Sequence, residues 1–443
     1  MFSFLKNFAN TDKNPSQSSE KNSSFDYLKN SDHYFDSACT TLRPKQVIEA
    51  SVNYYQKFGS CGGRVKYKWG QTVDKLVAKC RSDLLDLCGK SAKDYTVAFC
   101  LNTTHGINTI LHQINTKKLG ISQIITSEIE HNSVFLPSMT FATKNDVKRT
   151  VLTRDELGNL IYEEKNLQNS IVIVNTQSNI DGRELMNAKE IGENVHKNGG
   201  ILLLDACQTF GHNPEFLKDV DFDAAFGSGH KMYGPSVGFI IIKKDLVKKL
   251  DCFLIGGSTV SDVKLDSYNL VENDDEIYAR IEPGLQDYAA IIGLLEAISW
   301  RQSFLKNHSD LANKTDQNTS SEENSNSQTK ELHAIISNQN LNFEQKLAHY
   351  LHAKLAKIPE ITLINRNPSP VVSFYSDKID SHKLATLLGE MGIMGRSGYH
   401  CCHYYLKEKL KLPPLFRVSL GLYNTPEQID FLITNLEKIV KNW

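Results

Sequence analysis

The sequence carries no excess of charge: 50 Lys plus Arg stand against 51 Asp plus Glu among its 443 residues. With no field of one sign, nothing draws the whole chain to nucleic acid or to an anionic membrane, so neither partner is expected and ligands have to be argued from sites. Nor is there any run near the roughly 18 consecutive apolar residues that a membrane span needs. Nine cysteines, at positions 39, 61, 80, 88, 100, 207, 252, 401 and 402, form no Cys-x-x-Cys pair, and their odd number suits a reducing compartment better than a disulfide framework. A cytoplasmic location is the expectation. Residues 1–24 have only a Phe-Ser-Phe-Leu stub in place of a signal peptide's apolar core, and with Asp12, Glu20 and no Arg they do not read as a transit peptide. A frayed, disordered tail is expected there. No internal repeat is seen.

What is present is an ordinary soluble composition, 40% hydrophobic and 23% charged, in a chain long enough for two or three domains. Pro44 opens a helical pattern that runs past Tyr54, and after a glycine-rich break at 59–63 the residues Val73, Leu76, Val77, Cys80, Leu84, Leu85 and Leu87 recur at helical spacing. Strands and helices then alternate, with strands predicted at 95–100, 123–127, 171–175 and 201–204 and helices at 104–114 and 189–197. Unalternated apolar runs separated by helices predict a mainly parallel sheet covered on both faces, an α/β fold. Residues 306–330 turn to Asn, Ser, Gln, Thr, Asp and Glu with almost no large apolar side chain, which predicts a disordered insertion. Beyond it, Phe343, Leu347, Leu351 and Leu355 mark one helix face, 371–375 a strand and 384–391 a helix. The expected division is a tail over 1–24, a segment 25–42 lying near a small domain, a large domain over 43–303, the insertion over 304–330 and a small α+β domain over 331–443.

One lysine stands out. Lys231 lies in Gly227-Ser228-Gly229-His230-Lys231-Met232-Tyr233-Gly234-Pro235, between glycines, a hydroxyl and an imidazole, ahead of the apolar run 237–242. The nonapeptide fits either a solvated turn lysine or a Schiff-base lysine, whose amine is freed as a nucleophile when partial burial lowers its pKa. Three further stretches put polar groups at the carboxyl ends of predicted strands, where open α/β sheets bind ligands. Asn102-Thr103-Thr104-His105-Gly106 opens a helix and offers hydroxyls and free N–H groups, either as an ordinary cap or as a phosphate site. The strand 201–204 runs into Asp205, a carboxylate that needs a cationic or hydrogen-bonding partner once buried; a protonated pyridine nitrogen would serve. His131, in Glu130-His131-Asn132-Ser133, reads as a loop histidine or as a ring stacked on a flat ligand.

Taken together and in order, these stretches resemble the class V aminotransferase group of pyridoxal-phosphate enzymes, of fold type I, and within it the cysteine desulfurase and selenocysteine lyase branch. The resemblance runs from about Tyr34 to the C-terminus, interrupted by the insertion. It implies pyridoxal 5'-phosphate as cofactor, with Thr103 and Thr104 in the phosphate loop, His131 stacked on the ring, Asn179 near the phenolic oxygen with Gln208 beside it, and Asp205 on the pyridine nitrogen. Ser228 and His230 become neighbours of the phosphate and of the Schiff-base lysine, Lys231. In the C-terminal part, Arg396-Ser397-Gly398-Tyr399-His400-Cys401 resembles the segment whose arginine binds the substrate carboxylate and whose cysteine takes the sulfur. Arg417 matches a second carboxylate arginine and Arg64 an active-site arginine. The resemblance further implies an amino-acid substrate, a protein sulfur acceptor and a homodimer, and a reaction in which Lys231 moves the Cα proton while Cys401 receives sulfur as a persulfide and alanine leaves.

Some positions depart from that pattern. Leu285, in Glu282-Pro283-Gly284-Leu285, replaces a threonine that reaches the neighbouring subunit's phosphate; Gly63, His105 and Tyr399 also differ from the residues common in the branch. These leave open selenocysteine lyase, elimination or transamination chemistry, which need Lys231 and Asp205 alike. A metal site on His400-Cys401-Cys402-His403 is not expected, because consecutive residues cannot all converge on one tetrahedral ion. Arg396 and His400 are expected to add positive charge beside Cys401. In an extended loop, Cys401 and Cys402 would point to opposite sides.

Overall fold

The computed structural model describes residues 23–29, 31–63, 65–318 and 341–443. Strand β1 (His33–Tyr34) opens the chain, followed by β2 (Tyr95–Cys100), β3 (Gln123–Ser127), β4 (Lys148–Leu152), β5 (Ser170–Asn175), β6 (Ile201–Asp205), β7 (Ala224–Ser228) and β8 (Gly238–Lys243). The last seven form one sheet in the order β2-β8-β7-β6-β5-β3-β4. All run parallel except β8, which is antiparallel to both of its neighbours. The unbroken apolar runs follow from burial on both sides. Val172, Val174, Leu202 and Leu204 enter the core on one face, while Ile171, Ile173, Ile201 and Leu203 enter the core on the other. Each fully buried side chain of this kind contributes roughly 1.5–3 kcal/mol, so the alternation of faces fixes the register.

An antiparallel hairpin, β9 (Val260–Val263) and β10 (Tyr268–Leu270), stands beyond this sheet. A second sheet is built from β11 (Thr362–Leu363), β12 (Val371–Tyr375), β14 (Arg396–Gly398) and β15 (Leu415–Ser419) in the order β11-β12-β15-β14, all antiparallel. Its core joins Val372, Phe374, Phe416 and Val418 to Leu351, Leu388 and Leu436 of the helices Phe343–Leu355, Ser381–Glu390 and Pro426–Asn442. The short β13 (Ile393–Met394) pairs with β1.

The segment after β1 joins the two sheets. On one side, Ser419 N donates to Phe35 O at 2.7 Å and Ala38 N donates to Ser419 Oγ at 2.9 Å. On the other, Thr41 N donates to His230 O at 2.8 Å and Gln208 Nε2 donates to Ala38 O at 2.9 Å.

Two sequence expectations change. The helix Tyr288–Asn318 continues past 304, so the first part of the stretch expected to be disordered is helical. No Pro interrupts it and no Gly follows Gly293, and its apolar start, with Ile291, Leu294 and Ile298 buried, supplies the nucleus from which a polar continuation propagates. Residues 319–330 of that insertion lie outside the described residues. At the N-terminus, residues 1–22 lie outside them too, but Ser23–Phe25 is a helical turn. There Phe25 is buried edge-on against Trp300 and Tyr423, and Ser24 Oγ accepts from Trp300 Nε1 at 3.1 Å. Among the described residues, no helix is long and apolar enough to cross a membrane.

Candidate active site

The carboxyl edge of the seven-stranded sheet gathers most of the singled-out residues. β7 ends at Ser228, and the turn Gly229–Lys231 then aims Lys231, half-buried, back across the edge. β6 ends at Asp205, which is 6% exposed. The lysine amine contacts the Cys207 thiol and lies in Coulombic range of Asp205, the only cation among the described residues to act on that carboxylate. Burial drives the Asp205 carboxyl upward, Lys231 draws it back, and one backbone N–H, from Cys207 at 3.1 Å, completes its partners. Its oxygens therefore retain acceptor capacity toward the site.

The helix Thr103–Gln113 begins beside this edge, with Asn102 accepting from His105 N at 2.9 Å as its cap. Gly238, the first residue of β8, lies against that turn, where a Cβ would meet the Asn102 backbone at 2.5 Å. Thr103 Oγ1 donates to Cys207 Sγ at 3.1 Å. Thr104 and Ser133 share a hydroxyl hydrogen bond of 2.6 Å, and Ser133 N donates to His131 Nδ1 at 3.1 Å. With Nδ1 accepting, the ring proton sits on Nε2. Burial, with Lys231 and Arg417 adding to it, lowers the His131 pKa to about 3. His230 is likewise lowered to about 4, by burial and then by Lys231 and Arg43. Both imidazoles are neutral near pH 7.

Ser228 is the telling residue. Its side chain is fully buried and its Oγ has no hydrogen-bond partner among the described residues. An orphaned buried hydroxyl costs about 1–3 kcal/mol, a burden that an anionic oxygen bound here would lift. It lies beside the N-terminus of an eleven-residue helix, whose free N–H groups favour the same kind of ligand.

The second sheet supplies the facing wall. β15 carries Arg417, 3% exposed, which donates from Nη1 to Asn179 O at 2.9 Å. β14 carries Arg396, whose side chain is 47% exposed. The chain then turns through His400 and Cys401, both with left-handed φ, 46° and 58°. The turn is fastened to the pocket rim: Asn132 N donates to Cys401 O at 2.7 Å and Asn179 Nδ2 donates to His400 O at 2.8 Å. Cys401 is exposed, whereas Cys402 is buried and donates to Asn179 Oδ1 at 3.2 Å, with burial pushing its thiol pKa well up. The opposed orientation expected of these two thiols is present, but a left-handed turn produces it where an extended loop was expected.

Other expectations need revision. His400 adds no charge beside Cys401, because burial and then the Arg417 and Arg396 guanidinium groups lower its pKa to about 2. Asn179 and Gln208, which the resemblance sets near the phenolic oxygen, engage their side-chain amides with the cysteine turn and with Ala38. Arg64 lies outside the described residues. Sequence reasoning missed Asp36, which accepts from Arg396 Nε at 2.9 Å and from Arg417 Nη2 at 3.0 Å. Its signal was one carboxylate in an otherwise uncharged run, Tyr34 to Thr41. Also missed was Glu130, fully buried against Arg154 at 3.1 Å and accepting from Asn175 N at 2.7 Å, which ties the ends of β3 and β5 beneath His131.

The family model described as Aminotransferase class-V matches residues 33–333 and 325–432. The chain belongs to the class-V aminotransferase family. Within that family it is similar to a protein named probable cysteine desulfurase from Borreliella burgdorferi, 28% identical over 424 residues that cover 92% of each chain. It is 26% identical to a cysteine desulfurase from Escherichia coli, over 92% of this chain and 93% of the relative. Among solved structures of the same fold is the apo cysteine desulfurase from Thermococcus onnurineus, with a TM-score of 0.75 and 26% identity over 93% of this chain and 95% of that one. A C-DES mutant with glycine covalently linked to its PLP cofactor has a TM-score of 0.71 at 17% identity, over 95% of this chain and 99% of the other, and shows the fold alone.

Proposed function

We propose that this class-V enzyme is a cysteine desulfurase that uses pyridoxal 5'-phosphate to convert L-cysteine to L-alanine and a persulfide on Cys401. The observation that carries this reading is the exposed Cys401, held on a left-handed turn that Asn132 and Asn179 fasten to the rim where Lys231 and Asp205 meet. Transamination or elimination requires the lysine and the aspartate but gives no role to a thiol clamped there.

The residues fit the cofactor: Thr103, Thr104 and the orphaned Ser228 hydroxyl are suited to its phosphate, His131 to its ring and Asp205 to its ring nitrogen. When bound, pyridoxal phosphate supplies an electron sink for the substrate Cα, one that Asp205 keeps protonated and electron-poor. Lys231 Nζ is the base that takes the Cα proton and the acid that returns it. Arg417 and Arg396 receive the substrate carboxylate through charge-assisted hydrogen bonds. Cys401 Sγ attacks the substrate sulfur; the S–S bond forms as the C–S bond breaks, the electron pair stays with carbon, and protonation of that carbon yields alanine. A thiol of an acceptor protein then takes the sulfur from the exposed Cys401.

The same reading includes two domains, divided near 303 and 331, in a homodimer. Leu285, Leu265, Val263, Phe253 and Tyr268 are all half or more exposed, apolar side chains of the kind that a second copy covers. Nine free cysteines suit the cytoplasm.

Incubation with L-cysteine tests the reaction, scoring alanine and protein-bound sulfur. Cys401→Ser is expected to lose persulfide formation and keep the visible absorbance of the bound cofactor; Cys402→Ser is expected to keep both. Sulfide released with pyruvate and ammonia in place of alanine, at a rate that Cys401→Ser leaves unchanged, would instead favour elimination.

A further inference from the structure

Asp36 sits between the two arginines that the preceding section assigns to the substrate carboxylate. Its side chain is 13% exposed, with Oδ2 on Arg396 Nε and Oδ1 on Arg417 Nη2, so one carboxylate bridges two guanidinium groups. The bridge is monodentate to each arginine. Among the described residues it leaves the outer N–H groups of Arg396 free, and the buried Arg417 Nε has no partner there. The backbone around Asp36 is held tightly: Asp36 forms a parallel bridge with Ser419, and Ser37 Oγ shares a 2.6 Å hydrogen bond with Tyr423 OH.

Charge then decides what such a subsite accepts. Two guanidinium groups this close repel each other, and one carboxylate between them leaves a net charge of about +1. His131, His230 and His400 do not alter that sum, since all three are held neutral by burial. Lys231 faces Asp205 on the opposite wall.

We propose that Asp36 is the specificity-determining residue of the carboxylate subsite. It orients Arg396 and Arg417 and cancels one of their two charges, so that the subsite takes an amino acid with a single carboxylate and disfavours one with an acidic side chain. This rests on the reading that the two arginines receive the substrate's carboxylate.

The test measures dissociation constants of L-alanine and L-aspartate for the holoenzyme by calorimetry. Removing one charge from a partly buried site is worth about tenfold in relative affinity for an added carboxylate. Asp36→Asn is therefore expected to raise the affinity for aspartate relative to alanine by about tenfold, while Asp36→Glu keeps the wild-type ratio. Asp36→Ser, a smaller neutral side chain, carries the test if Asp36→Asn does not fold. An Asp36 that is only a strut would weaken both ligands equally, and one that merely blocks the arginines would make both bind more tightly; an unchanged ratio in either case overturns the proposal. Arg396→Gln separates the two levels of inference: if it leaves both affinities of the wild-type enzyme untouched, the carboxylate reading itself fails.

Discussion

At the amino edge of the seven-stranded sheet, His196 bonds Asp221 at 3.0 Å through Nδ1 and Asp223 at 2.8 Å through Nε2, while Lys243 reaches Asp221 at 2.7 Å and Leu202 N donates to Asp223 at 2.8 Å. At the carboxyl edge of the same strands, Asp205 has a single backbone donor, Ser228 Oγ has none, and two histidines are held neutral. One edge is saturated and therefore adds stability. The other keeps polar groups unsatisfied, which lowers the stability of the ligand-free protein but reserves those atoms for a ligand. The carboxylates make the contrast sharp, because Asp205 and Asp223 flank neighbouring strands and only the latter is fully partnered.

Five substitutions probe this contrast, from the largest expected effect to the smallest. Lys231→Ala removes the amine that acts on Asp205, and alanine release is expected to fall by roughly 10²–10⁴-fold or more, with loss of the cofactor's covalent absorbance band. A wild-type spectrum in this variant would remove the lysine from the chemistry. Asp205→Asn and Asp223→Asn should then differ in what they cost. The first is expected to leave the cofactor-free protein as stable as wild type in urea while the reaction slows about hundredfold. The second is expected to lower stability by about 1–3 kcal/mol, because it strands partners that now have only half an acceptor. Equal urea midpoints for the two would erase the contrast.

Ser228→Ala is a smaller version of the same trade. Removing an orphaned hydroxyl should leave the cofactor-free protein unchanged or up to about 1 kcal/mol more stable, while cofactor affinity drops about tenfold through one lost charge-assisted hydrogen bond. Fluorescence titration with the cofactor reads that affinity. The smallest effect is at His196, whose pKa is raised chiefly by its hydrogen bond to Asp223. A raised pKa makes its contribution fully present below the unfolded value, about 6.5, and lost as pH rises through the folded one. His196→Gln should thus destabilise by about 1 kcal/mol or less at pH 6 and by less still at pH 9, since Asp221 is largely solvated. A penalty that grows with pH would contradict the ion-pair origin.

The sequence by itself determined most of the strands, the mainly parallel arrangement and most of the carboxyl-edge groups, but not β4 or the reversed β8. Apolar runs such as 201–204 are buried on both sides, and Asp205, Thr103 and Lys231 follow their strands within a few residues, so short-range pattern was enough. It left open the end of the helix Tyr288–Asn318, because polar composition speaks to burial and not to whether a helix already nucleated will continue. It also misjudged the charge on His400, which depends on burial under a sheet formed by distant residues. Only the tertiary structure decided that Asp36 meets Arg396 and Arg417, 360 and 381 positions away, and that a left-handed turn sends Cys401 outward and Cys402 inward. Those contacts have no local signature: they arise where two sheets and an N-terminal segment close on one another, and the identity of a partner across that closure is fixed by three-dimensional position alone.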